Sequence, residues 1–229
     1  MNLVMLDIDG TLTQSYEYDE EIFGLAIGEV LGGERVDADL NGYVDKTSTG
    51  VTEEAIRRAT GANASAKQVT AVKGNVLGRL KKMYQDAPEV FAEVPGAGHF
   101  LERLRSLEGT GIAIATGCWH FEAMFKLQSS GLHVDGIPMA TSDDDRNRTR
   151  IMQMAVKKAQ NYYDCRIFDR IVYIGDGPWD LQESRALGYG FIGIGPRVQA
   201  VKGKLIDRWH ADFMDIEAVF GSIAAAFNM

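Results

Sequence analysis

Apolar and polar positions follow two different rhythms along the chain, and the change between them divides it. Leu3-Val4-Met5-Leu6 is a short uninterrupted apolar run, the pattern of a strand buried on both faces of a parallel sheet. From Asp19 to Leu31 the apolar residues Ile22, Phe23, Ala26, Ile27 and Val30 recur at helical spacing. Thr52-Glu53-Glu54 reads as a helix start, with a capping hydroxyl and acids in the first turn. Val69, Val72, Val76, Leu80 and Met83 mark a third helix, so residues 15–89 read as wholly helical. After Val94-Pro95-Gly96 the rhythm becomes alternating: helix 97–107, strand Ile112–Ala115, helix 119–129, a short strand near 136–140 and helix 149–161. Strand Arg170–Ile174, a short helix 180–187 and strand Phe191–Ile194 complete it. This alternation predicts an α/β protein with a doubly wound, mainly parallel sheet, interrupted after its first strand by a helical block. The expected domains are residues 1–14 with 90–229 as an α/β core, and 15–89 as an inserted helical cap.

Length and composition narrow the picture. A chain of 229 residues suits a main domain carrying an insertion, and its 45% apolar fraction is ample for a core. No apolar stretch approaches the roughly 18 residues of a membrane span, and no signal peptide is read before the first strand, so a cytoplasmic protein without membrane contact is expected. Cys118 and Cys165 are too few and too far apart for a disulfide framework or a zinc site. The net charge of −8 disfavours a broad nucleic-acid surface while leaving room for a small anion in one local site.

The candidate chemistry lies at the strand ends, where open α/β sheets bind their ligands. The first strand runs out into Asp7-Ile8-Asp9-Gly10-Thr11, two carboxylates followed by a glycine turn. One Asp before Gly usually caps a turn, but two at a sheet's active edge read as phosphoryl-transfer chemistry. Ile112-Ala113-Ile114-Ala115 ends in Thr116-Gly117, a hydroxyl and free amides suited to phosphate oxygens, although Thr116 alone reads as a helix cap. The strand Ile171–Ile174 ends in Gly175-Asp176-Gly177-Pro178-Trp179-Asp180. Mg²⁺ prefers oxygen ligands, so Asp176 beside Asp7 is chemically sufficient for a Mg²⁺ site. Three acids facing a phosphate call for a cation, for which Arg148 before its helix is chosen over Arg146, Arg150 and Lys157.

These segments resemble, over essentially the whole chain, the phosphohydrolases of the haloacid dehalogenase superfamily, in particular those like phosphoglycolate phosphatase with a helical cap after the first strand. Asp7-Ile8-Asp9-Gly10-Thr11-Leu12-Thr13, Thr116-Gly117, Arg148 and the Gly175–Asp180 segment fall in the family's order, with arginine standing where lysine is common. The resemblance implies that Asp7 is the nucleophile and Asp9 the acid and base. It also implies that Mg²⁺ is held by Asp7, the Asp9 carbonyl and Asp176 with support from Asp180, and that Thr116, Gly117 and Arg148, with Gly10 in the first turn, hold the phosphoryl group. The expected substrate is a small phosphomonoester; a phosphomutase or a non-catalytic phosphate-binding module is the alternative. The cap loop Tyr43–Gly50 is expected to read the leaving group, with Lys46 facing a second anion. Trp119 is expected as a packed indole, His120 as partly exposed, and Cys118 as a small core residue.

Overall fold

The computed structural model describes residues 1–33, 36–39, 42–201 and 204–228. Strand β1 (Asn2–Leu6) pairs in parallel with β2 (Thr110–Ala115) on one side and β4 (Ile171–Gly175) on the other. Outward from these lie β3 (Met139–Ala140) and, on the opposite flank, β5 (Gly190–Ile194) and β8 (Trp209–His210). Among the described residues the sheet order is β3-β2-β1-β4-β5-β8, every neighbouring pair parallel. A separate antiparallel pair, β6 (Ala200–Val201) and β7 (Lys204–Leu205), stands between β5 and β8 in the chain.

The reading of β1 as buried on both faces holds, and its alternation shows how. Val4 and Leu6 enter one apolar cluster with α4 (Ala97–Arg105), α5 (His120–Ser129) and α8 (Ile216–Phe227), through Leu101, Leu127 and Val219. Leu3 and Met5 enter the opposite cluster with α6 (Arg148–Tyr162) and α7 (Pro178–Ala186), through Ile151, Ala155 and Leu181. The sheet is therefore doubly wound as expected.

Helices α1 (Asp19–Val30), α2 (Ser48–Thr60) and α3 (Ala66–Asp86) form the helical cap between β1 and α4. Their apolar faces meet in a third cluster that includes Ile27, Ile56, Val72 and Val76, and also Trp119 from the core side. The expectation of a wholly helical stretch needs correction: the described residues 36–39 are irregular, and short 3₁₀ turns precede α1 and follow α3. Helix α2 begins at Ser48, a turn earlier than Thr52, because the Thr47 hydroxyl accepts from the Gly50 amide and supplies the cap. Thr52 lies inside the helix, fully buried. Within the described residues no helix is long and apolar enough to cross a membrane.

Candidate active site

Strands β1, β2 and β4 deliver their ends to one edge of the sheet, and the side chains singled out in the sequence converge there. Asp7 follows β1, is 4% exposed, and its Oδ2 lies 2.9 Å from Arg148 Nη2. The same nitrogen is 2.7 Å from Asp180 Oδ1 and donates to the Tyr173 hydroxyl, which donates in turn to the Ala115 carbonyl. Arg148 sits at the first position of α6, whose cap is Asn147, so the helix start fixes the guanidinium between two core strand ends. The competing cations lie elsewhere: Arg146 pairs with Asp45 and Glu53 of the cap, Arg150 with Asp145 at the surface, and Lys157 is exposed.

Asp7, Asp176 and Asp180 are all buried, and each offers a carboxylate oxygen within 4.8 Å of the others. Asp180 also accepts the Gly177 amide at 2.9 Å through its second oxygen. Burial pushes the Asp7 carboxyl up to about 7, against the opposing Arg148 charge, and burial likewise drives Asp176 well above the usual carboxylate range. Acids so disposed gain from a cation. In this state Arg197 Nη1 supplies one, 3.0 Å from Asp176 Oδ2. An all-oxygen, anionic, buried donor set fits a hard divalent ion such as Mg²⁺.

Glycines close the site tightly. Gly10 has φ +74°, and a Cβ there would lie 2.0 Å from Asp176 Oδ2. Gly10→Ala should therefore cost about 1–2 kcal/mol for the left-handed backbone alone, and displace the Asp176 carboxylate besides. We expect a drop in melting temperature by differential scanning calorimetry larger than the backbone cost alone would give. A drop no larger than that cost would show that Gly10 does not press on the carboxylate cluster. A Cβ at Gly117 would meet Arg148 Nη1 at 2.8 Å and the Lys46 carbonyl at 3.0 Å, so this glycine lets the cap loop lie directly on the turn. Thr116 is buried, its hydroxyl accepting the Cys118 amide at 3.1 Å in the turn before α5; that helix has Trp119 as its N-cap, so Thr116 is not the helix cap it suggests when taken alone.

Asp9 faces a different neighbourhood from Asp7. Its Oδ1 accepts from Ser15 Oγ at 2.5 Å and lies 2.8 Å from Lys126 Nζ, while Oδ2 accepts from the Cys118 thiol at 2.8 Å. Burial pushes its carboxyl up, but the Lys126 charge and these hydrogen bonds outweigh that and hold it below the usual range. Burial keeps the Cys118 thiol protonated, well above its ordinary value. Cys118 is thus a core residue by burial and a donor to Asp9 by position.

The cap is docked over this edge. The Ser48 amide donates to the Gly117 carbonyl at 2.8 Å, Thr47 Oγ1 to the Arg146 carbonyl at 2.7 Å, and Ser48 Oγ to Glu122 at 2.8 Å. Trp119 is fully buried and donates through Nε1 to Thr49, whereas His120 is exposed. Lys46 Nζ lies 5.0 Å from the centre of the Trp179 ring, with Arg197 stacked between Tyr16 and Trp179. A cavity of about 360 Å³ opens at this edge, lined by Asp7, Asp9, Lys46, Thr116, Gly117, Arg148 and Asp176 among others.

Two cations were not singled out from sequence: Arg197 in the cavity wall, and Lys126, fully buried against Asp9. Arg197 follows the end of β5, so the strand-end rule that selected Asp7 and Asp176 would have found it. Lys126 stands four residues after Glu122 on α5, a spacing that reads as an ordinary surface ion pair.

No curated protein matches this chain. Among solved structures, a hydrolase from Pseudomonas syringae is similar with TM-score 0.72 and 20% identity, over 97% of this chain and 99% of that one. A β-phosphoglucomutase from Clostridium difficile superposes with TM-score 0.70 at 13% identity, over 100% of this chain and 97% of that one. A predicted phosphoglycolate phosphatase from Haemophilus somnus gives 0.57 at 16% identity, over 96% and 98%. These likenesses concern the fold. The family model described as haloacid dehalogenase-like hydrolase matches residues 1–188, which with the four motifs in order on one sheet edge makes this chain a member of that hydrolase family.

Proposed function

We propose that this hydrolase is a Mg²⁺-dependent phosphatase acting on a small phosphomonoester, with residues 15–89 as the cap that covers the reaction. The observation that carries the reading is Asp7: a buried carboxylate at the end of the central strand, bound to Arg148, grouped with Asp176 and Asp180, and lining the cavity together with Asp176. The Asp7 and Asp176 carboxylates and the Asp9 carbonyl would hold the ion, with Asp180 anchoring Arg148 beside them. When bound, Mg²⁺ supplies positive charge against the phosphoryl oxygens.

Asp7 Oδ attacks phosphorus and the bond to the leaving oxygen breaks, while Asp9, which must first take up a proton from solvent, passes it to that oxygen. Water then attacks the aspartyl-phosphate, its proton passes to Asp9, and the Asp7 carboxylate is released with inorganic phosphate. Arg148, Thr116 and the Gly117 amide grip the phosphoryl oxygens, since phosphoryl transfer is governed by positioning and charge stabilisation. Gly10 lets the first turn lie against Asp176. Lys46, with no carboxylate partner among the described residues, faces an anionic group on the leaving side. The cap contacts exclude bulk water from the intermediate.

The likeness to a structure named β-phosphoglucomutase supports a second reading, in which the phosphoryl group returns to a sugar. Inorganic phosphate release from a panel of phosphomonoesters, with and without Mg²⁺, tests the first. Mg²⁺-dependent release is expected. Recovery of isomerised sugar phosphate without net release would select the mutase, and tight Mg²⁺-dependent phosphate-ester binding without any product would select a binding role.

A further inference from the structure

The side chain of Lys126 is fully buried, and its ammonium faces Asp9 and two further carboxylates. Nζ lies 2.8 Å from Asp9 Oδ1, 2.8 Å from Asp19 Oδ1 and 3.0 Å from Glu122 Oε1, with Cys118 Sγ at 3.6 Å. Asp19 is the first residue of α1, where the chain enters the cap; Glu122 is one turn back on α5 and also accepts from Ser48 of the cap. A buried ion cluster can commonly be replaced as a whole by apolar residues of similar volume without loss of stability, although removing one partner alone strands the others. Lys126 neighbours the buried apolar positions Ala123 and Leu127 of the same helix, where a leucine or methionine would suit the packing. The charge at this position is therefore better explained by what it holds than by what it stabilises.

We propose that Lys126 is a positioning residue for Asp9, anchored by Asp19 and Glu122, that holds the Asp9 carboxylate at the aim its acid–base role requires. This rests on the phosphatase reading. Ser15 and Lys126 fix one oxygen of Asp9, and Cys118 fixes the other. The three donors come from three chain segments: the approach to the cap, the turn after β2, and α5. Ser15 and Cys118 are neutral donors; Lys126 adds a charged one, and its ammonium bridges Asp9 to Asp19 at the start of α1.

The experiment compares the native chain with Lys126→Met and Asp19→Asn on two substrates in Mg²⁺. An alkyl phosphomonoester such as glycerol phosphate needs a proton on its leaving oxygen, whereas p-nitrophenyl phosphate expels a stable phenolate without one. Melting temperature establishes that each variant is folded. For Lys126→Met, kcat on the alkyl ester should fall roughly 10²-fold, the scale of a misplaced catalytic group. KM should stay close to native, and the rapid first burst of p-nitrophenolate should persist. Asp19→Asn keeps the lysine and loosens its anchor, so the same selective loss should appear at roughly tenfold; it decides the matter if Lys126→Met fails to fold. Unchanged kcat in folded variants would overturn the proposal, as would equal losses on both substrates with the burst abolished. A native chain that releases phosphate from neither substrate would instead bring down the phosphatase reading, and the proposal with it.

Discussion

Asp7→Asn should abolish phosphate release and, in the absence of metal, leave a protein more resistant to unfolding than the native chain above pH 7. The amide matches the carboxylate in size but cannot attack phosphorus, and loss of a nucleophile lowers turnover by roughly 10⁴–10⁶-fold. Stability moves the other way because burial holds the native Asp7 carboxyl at about 7, raised from its ordinary value of 3.8. Between those two values the folded chain binds more protons than the unfolded one, so native stability falls as pH rises through that window and levels off above it. Asparagine does not titrate and escapes the fall, while Arg148 keeps its contact with Asp180. Melting temperatures of both proteins in EDTA should diverge in favour of the variant between pH 5.5 and pH 8. A constant difference across that range would show that Asp7 ionises in the fold as it does in the open chain.

Asp9→Asn should lower turnover on alkyl phosphomonoesters by roughly 10²–10⁴-fold, the usual contribution of a general acid and base. The carbonyl of asparagine can still accept from Ser15 or the Cys118 thiol, and Lys126 keeps Asp19 and Glu122 as partners. The site should consequently stay assembled, and the loss should fall on proton transfer rather than on folding. Rapid-quench measurement with p-nitrophenyl phosphate should show formation of the phosphorylated protein continuing while its breakdown slows, since water still needs a base. Native steady-state turnover in this variant would remove Asp9 from the reaction.

The site was legible in the chain wherever it coincides with a strand end. A buried strand must stop being apolar when it leaves the sheet, so Asp7, Thr116 and Asp176 stand out against the residues before them. Arg148 was legible for a related reason, as a basic residue opening a helix. Ser15, Asp19, Glu122 and Lys126 were not, because their meaning lies in the approach of α1 to α5 across more than a hundred positions, and each looks like a solvated surface residue in its own segment. Five of the six sheet strands were legible; β8 was not, because its two residues, Trp209 and His210, stand in no apolar run. The earlier start of α2 escaped because two threonines compete as caps, and only the docking of Thr47 against the Arg146 carbonyl decides between them.

The position of β1 bears on how the molecule is assembled. The strand pairs Asn2 with Thr110 and Leu3 with Ile171, and none of its sheet partners comes from the residues just after it. During synthesis, then, this apolar strand emerges before its partners and must wait while the whole cap and α4 are made before β2 gives it a neighbour. Pairings across such sequence separations close slowly, because the entropy of the long loop is lost before the contacts form. The helices α1 to α3, whose contacts are more local, should collect first, so the segment that covers the finished site is also the one that occupies the interval in which β1 is most prone to aggregate.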